Sequence, residues 1–282
     1  MLLDEPRGRG LGRAIAWAIQ HDAGEVHLLV EESAGIFARQ ARYFRRAPTV
    51  WQVSGRSLVP AAPEPLQPPL SPPEEALDLV GLLAEEGVDI VIEHGEVRGE
   101  ILGLEIARIV VDEAGARIEV GVGRHDREAF ALVHGDLPTR DALRSVIDSV
   151  RRQRQPGDLR HPLARLAPER WMRSVLMAEP ERIGARSLEP VEPTVPRDSV
   201  KDVVAAVAVG VDRDDRPVVV ACSVGIDLDL VPSAADARAA HAPGARLLLA
   251  VPPRDAHPVT KRLAAALDEP AEIVEIAGDW RA

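Results

Sequence analysis

The 282-residue sequence has one cysteine, Cys222, and only two lysines, and aromatic residues make up 3% of it. A single cysteine excludes an intramolecular disulfide and a zinc site built from cysteines. The eight histidines contain no H-x-x-x-H pair, so a helical zinc site is not expected either. No run approaches the roughly eighteen apolar residues of a membrane span, and the first twenty residues lack the layout of a signal peptide. We therefore expect a cytoplasmic protein with no membrane partner.

Positive charge is in the minority. The formal net charge is −11, which disfavours a protein that coats duplex DNA, because phosphate contacts need clustered cations. The charge is uneven, however, and nine arginines stand against four acids between Arg140 and Arg173. Two interpretations stay open, a solvated helix face with a salt-bridged connector and a weak nucleic-acid-binding surface. The residues proposed for that surface are Arg151, Arg152, Arg154 and Arg160.

Proline divides the chain. Residues 60–75 hold seven prolines in sixteen positions, which indicates a loop or spacer. A second proline-rich stretch, EPVEPTVPRDS from Glu189, predicts an extended connector. We accordingly predict an N-terminal α/β domain over 1–150, a basic and proline-rich connector over 151–198, and a C-terminal α/β domain over 199–282.

Hydrophobic periodicity predicts an α/β fold of mixed sheets flanked by helices. The segment EEALDLVGLLAEEG predicts one helix closed by Gly87, and the strands after it include AFALVHG at 129–135. A helix is expected to begin near Thr139, which follows Pro138. The last part of the chain reads β-β-α-β-α-β, and strands separated by helices are expected to pair in parallel.

Two acids lie on adjacent strands of a predicted hairpin, RGEILGLEIARIV and ARIEVGVG. If both strands turn their more apolar faces to one core, Glu105 and Glu119 share the opposite face. Two neighbouring carboxylates can hold Mg²⁺ or Mn²⁺, and His125 follows closely enough to position a water. The sequence therefore offers Glu105, Glu119 and His125 as catalytic candidates, the first two as metal ligands.

The alternative for the hairpin is purely structural. A turn centred between Glu113 and Ala114 places Glu119 opposite Arg108 as a cross-strand ion pair. The same turn puts Glu105 on the other face. The two interpretations require different registers.

The hairpin resembles the restriction-endonuclease-like, or PD-(D/E)XK, nuclease fold over roughly residues 90–155. The acid of that family would match Glu105, and the glutamate of its Glu-x-Lys motif would match Glu119. Gly121 occupies the place of the lysine. The resemblance implies a metal-dependent nuclease-like protein or a degenerate, non-catalytic relative, with Mg or Mn as the cofactor.

Two further functions stay open, so whether the chain is an enzyme is undecided. One is a non-catalytic interaction or scaffold protein whose sheet packs on its own helices. The other is nucleotide binding by the glycine turn of Gly8, Gly10 and Gly12, where backbone N–H groups at a helix start could hold a phosphate. Glu31 and Glu32 fall where a dinucleotide fold places its ribose-binding acid.

Overall fold

The computed structural model describes residues 2–3, 9–123, 127, 139–157, 160–194 and 204–280. The described part is an α/β structure of three sheets flanked by helices. None of its helices is long and apolar enough to cross a bilayer. The α-helices are α1 (Leu11–Gln20), α2 (Ala34–Ala41), α3 (Glu74–Leu77), α4 (Val80–Glu85), α5 (Thr139–Gln153), α6 (Pro168–Ala178), α7 (Leu230–His241) and α8 (Pro258–Ala265).

The three sheets follow the chain. In the N-terminal sheet β1 to β3 are parallel and β4 is antiparallel to β3, and its strands are β1 (Leu2–Leu3), β2 (His27–Val30), β3 (Thr49–Ser54) and β4 (Ser57–Pro60). The meander sheet is antiparallel and contains β5 (Asp89–Glu93), β6 (Glu96–Ile101), β7 (Leu104–Asp112) and β8 (Gly115–Val120). The C-terminal sheet has the order β13-β12-β11-β10-β9, with β9 (Ala185–Val191), β10 (Ala206–Asp212), β11 (Pro217–Cys222), β12 (Arg246–Val251) and β13 (Glu272–Glu275).

The C-terminal sheet is covered on both faces. Its two central strands read PVVVAC and RLLLAV, continuous apolar runs that suit a sheet with no solvent face. Val219 and Leu247 belong to one hydrophobic cluster, and their neighbours Val220 and Leu248 belong to another. The predicted order β-β-α-β-α-β is confirmed, and β11, β12 and β13 pair in parallel as expected.

One hydrophobic core joins the two ends of the chain. Leu11 of α1 and Phe37 of α2 lie in the same buried cluster as Leu230 of α7 and Leu263 of α8. The division into 1–150, 151–198 and 199–282 predicts domains that are stable independently of each other, and it stays a prediction. In the structure, residues from both outer segments are buried against each other.

Two local predictions need correction. The segment 74–87 forms two short helices, α3 and α4, rather than one. The predicted extended connector begins inside β9, where Pro190 is opposite Ala208 of β10, and residues 195–198 lie outside the described residues. Proline is tolerated there because β9 is the edge strand of its sheet. The helix from Thr139 is confirmed, while the predicted strand 129–135 lies outside the described residues.

Candidate functional site

The hairpin of β7 and β8 has the register that pairs Arg108 with Glu119. Asp112 is opposite Gly115 at its end, so the turn is centred between Glu113 and Ala114. The register inferred from apolar alternation alone is therefore wrong. Asp112 fixes this turn by accepting a 2.9 Å hydrogen bond from the Ala114 amide, an interaction typical of aspartate at turns.

A bulge in β7 nevertheless places Glu105 on the same face of the sheet as Arg108. Gly99 of β6 pairs with Ala107, but the next residue, Glu100, pairs with Glu105, which leaves Ile106 as an extra residue. The extra residue resets the alternation of side chains along the strand. Arg108 consequently donates to Glu105 from Nε at 3.2 Å, a contact that regular alternation would not give.

Glu105 is surrounded by arginines. Its carboxylate is 2% exposed and accepts a 2.8 Å hydrogen bond from Arg127. Arg108 lies at 3.1 Å and Arg98 at 3.7 Å from the same carboxylate. Arg127 also approaches the half-buried carboxylate of Glu119 at 3.9 Å. The structure thus brings the two predicted acids to one guanidinium group.

The surroundings of Glu105 do not suit a divalent cation. Mg²⁺ needs oxygen ligands in near-octahedral geometry, whereas the groups facing this carboxylate are cationic nitrogen donors. Among the described residues, no three His, Cys, Asp or Glu side chains are grouped as a metal site. His125, the third catalytic candidate, lies outside the described residues.

The ion pairs continue from the meander sheet into helix α6. Arg170 pairs with Glu93 and Glu100, and Arg173 contacts Glu100 at 3.1 Å and Glu93 at 3.7 Å. All four side chains are almost fully buried, so each charge depends on its partners. We call the whole set the ion-pair network; it consists of Glu93, Glu96, Glu100, Glu105, Arg98, Arg108, Arg127, Arg170 and Arg173.

The network also explains one shifted pKa. Burial alone would lower the pKa of Arg98, but the carboxylates of Glu105 and Glu93 raise it above its ordinary value. A guanidinium stabilised in this way remains charged at any pH at which the protein is folded. In the sequence, Arg170 and Arg173 fall in the predicted basic connector, and no local pattern links them to their carboxylate partners Glu93 and Glu100.

Arg154 does not belong to a phosphate-binding surface. Its side chain is fully buried and donates 2.7 Å hydrogen bonds to the carbonyl oxygens of Leu163 and Leu166. The guanidinium also stacks on the ring of Trp171, 4.4 Å from the ring centroid, as in a cation–π interaction. The prediction that Arg154 contacts nucleic acid is therefore wrong, because its side chain is buried.

The other three arginines proposed for that surface are exposed. Arg151 donates to the Gly87 carbonyl at 3.5 Å, and Arg152 follows it on the same helix. Arg160 lies beyond the end of α5. Without Arg154 the candidate surface keeps these three residues, and its binding to nucleic acid stays a prediction.

The N-terminal glycine turn holds a carboxylate of the chain itself. Asp229 accepts 2.9 Å hydrogen bonds from the amides of Gly10 and Gly12 at the start of α1. Arg9 pairs with Asp227 at 2.9 Å. Burial raises the pKa of Asp229, although the amides of Gly12 and Gly10 act in the opposite direction. The donors expected to hold a phosphate are therefore engaged by a side chain.

The backbone of a second segment also packs closely against the same turn. A Cβ atom at Gly12 would overlap the Leu228 carbonyl, so glycine is required here for the close approach of α1 to the 227–229 segment. Glu31 and Glu32, the proposed ribose-binding acids, are exposed, and Gly8 lies outside the described residues. The geometry gives the turn a structural role.

Comparison of the chain with protein-family models, with curated proteins and with solved structures finds no significant match. Function must therefore be inferred from the chemistry of the site.

Proposed function

We propose that this chain is a non-catalytic interaction or scaffold protein, in which the acidic hairpin stabilises the fold. The observation that supports this function best is the surroundings of Glu105, whose buried carboxylate contacts Arg98, Arg108 and Arg127. A buried carboxylate is costly unless cations and hydrogen-bond donors compensate its charge. Arginines of the chain supply that compensation, and a catalytic cation is not needed for it.

The electrostatics of the hairpin support the same function. A divalent ion bound to Glu105 would bring two positive charges next to three guanidinium groups, and like charges at such distances repel strongly in a protein interior. Binding would require the arginines to leave positions in which they are hydrogen bonded to carboxylates and in which Arg98 and Arg127 are buried. The network therefore favours the ion pairs over a metal.

The alternative is a metal-dependent nuclease-like protein that uses Mg or Mn. One observation favours it, namely that Glu105 and Glu119 both approach Arg127, so the two acids are close in space. Gly121 in the place of the motif lysine weighs against turnover. Contact of Arg151, Arg152 and Arg160 with nucleic acid belongs to this alternative.

Thermal melting with and without divalent ions separates the two functions. We expect millimolar Mg²⁺ or Mn²⁺ to leave the Tm of the wild type unchanged, because a ligand raises the Tm only by binding the folded state. Glu119→Gln tests the more accessible acid, and Glu113→Gln, in the exposed hairpin turn, is its matched control. A rise in the wild-type Tm that disappears in Glu119→Gln but persists in Glu113→Gln would establish the metal site and refute the proposal.

A further inference from the structure

A cleft of about 930 Å³ lies between the C-terminal ends of α1 and α8 and the turns that lead into β2 and β3. Its volume is in the range of pockets that hold small organic ligands. The cleft joins parts of the chain that are far apart in sequence. Its apolar lining comes mainly from Ile15, Ala18, Ile19, Val26, Phe44 and Pro48.

The charged residues around this cleft are mostly cationic. Arg45, Arg46 and Arg262 line it together with Asp22 and Glu25, which gives an excess of one positive charge. The whole chain carries a net charge of −11, so this excess is local and opposes the field of the rest of the protein. This local excess favours an anionic group over a cationic one in the cleft.

Most of the charges around the cleft already have partners. Arg46 pairs with Asp22 at 3.5 Å, and Glu25 contacts His27 at 3.4 Å. Arg45 donates to a backbone carbonyl at the end of α8. Arg262 makes no ion pair or side-chain hydrogen bond with any other residue that the structure describes, so the donors of its guanidinium remain available to a ligand.

Hydrogen bonds within the protein reduce the negative charge of the helix ends around the cleft. A helix C-terminus carries partial negative charge on its unsatisfied carbonyl groups. At the end of α1 the Ala18 carbonyl accepts from the Ala23 amide at 3.0 Å, and the Trp17 carbonyl accepts from the His21 amide at 3.1 Å. At the end of α8 the Ala265 carbonyl accepts from Arg45. These carbonyl groups are satisfied within the protein.

We infer that the cleft binds a small amphipathic anion, with an apolar body against α1 and Phe44 and a carboxylate or phosphate group at Arg262. The inference rests on the proposed function, because it names the ligand of a protein that binds rather than catalyses. An apolar wall supplies binding free energy through burial, and a single guanidinium orients the anionic end. The occupant is a small molecule, since the cleft volume matches one ligand.

Isothermal titration calorimetry on the full chain tests this inference with three probes that share a ten-carbon chain: decanoate, decyl phosphate and decyltrimethylammonium. We expect at least one anion to bind roughly tenfold more tightly than the cation, a difference of about 1.4 kcal/mol. The better of the two anions identifies the head group that the site prefers.

Variants locate the binding. Arg262→Gln is expected to weaken the preferred anion roughly tenfold, or about 1.4 kcal/mol, and Ile19→Ser to weaken all three probes. Arg56→Gln, at an exposed position outside the cleft, is the matched control and is expected to bind like the wild type. Absence of anion binding, equal binding of anion and cation, or equal affinities of the Arg262→Gln and Arg56→Gln variants would each overturn the inference. None of these outcomes changes the interpretation of the melting experiment with metal ions. Only a metal-dependent rise in Tm that is lost in Glu119→Gln would refute the proposed function itself.

Discussion

The guanidinium of Arg127 lies 2.8 Å from the carboxylate of Glu105 and 3.9 Å from that of Glu119. An arginine thus occupies the position between two acids at which the sequence suggests a metal. Because Arg98 and Arg108 also contact Glu105, three guanidinium groups share this one carboxylate, and those of Arg98 and Arg127 are buried.

Glu105→Gln should therefore destabilise the fold strongly. The amide removes the negative charge and leaves the surrounding arginines undercompensated, and breaking a buried ion pair from one side costs roughly 3–5 kcal/mol. Urea denaturation gives the free energy of unfolding. Glu113→Gln, in the exposed turn of the same hairpin, should lie within about 0.5 kcal/mol of the wild type. Equal stabilities of the two variants would show that the network does not stabilise the protein.

Arg154→Gln should lower the stability of the protein, whereas Arg152→Gln, two residues earlier in the chain, should not. Arg154 is fully buried, donates to two carbonyl oxygens and stacks on Trp171, whereas Arg152 is exposed. Loss of charged hydrogen bonds to buried acceptors costs roughly 1.5–3 kcal/mol. Chemical denaturation of both variants checks the difference. A larger loss in Arg152→Gln would contradict the buried position of Arg154.

Gly12→Ala should weaken the attachment of α1 to the 227–229 segment. The added methyl group would overlap the Leu228 carbonyl, a backbone atom that cannot move without displacing the segment. Overpacking of this kind costs roughly 1–3 kcal/mol. Gly24→Ala is the matched control, because a Cβ there meets nothing within 4 Å. We expect a lower Tm for Gly12→Ala and an almost unchanged Tm for Gly24→Ala.

Cys222 should resist alkylation while the protein is folded. The side chain is fully buried in β11, and this burial raises the pKa of its thiol to about 12. The reactive thiolate is consequently scarce at pH 8, and reagent access is blocked as well. Mass spectrometry after iodoacetamide treatment should show no modification of the native protein. In about 6–8 M urea, which unfolds most proteins, modification of Cys222 should be complete. Rapid labelling of the native protein would mean that β11 is not a buried central strand.

The segment 199–282 should not fold when it is expressed alone. Leu230 and Leu263 share a core with Leu11 and Phe37, so the isolated segment would expose apolar surface that the full chain buries. Circular dichroism during thermal unfolding should show no cooperative transition for the fragment. A cooperative transition would instead support the predicted division into separate domains.

The sequence predicted the elements whose signal is local. The apolar runs of β11 and β12 have no polar side to turn to solvent, which identifies central strands covered on both faces. The helix from Thr139 also follows from its own periodicity. Segment 74–87 shows the limit of this reasoning, because its apolar pattern is continuous while the observed helix is interrupted between α3 and α4.

The arrangement of the ion-pair network depends on contacts between residues that are distant in sequence, and no local pattern predicts such contacts. Strict alternation along β7 fails at one bulged residue, Ile106, and this single insertion decides which groups Glu105 can reach. Arg170 lies 70 positions from Glu100 in sequence, and Asp229 lies 219 positions from Gly10. By itself the sequence determined the α/β class and the abundance of acids and arginines. Only the tertiary structure decided their partners, because charge pairing depends on distances that are set when distant elements pack together.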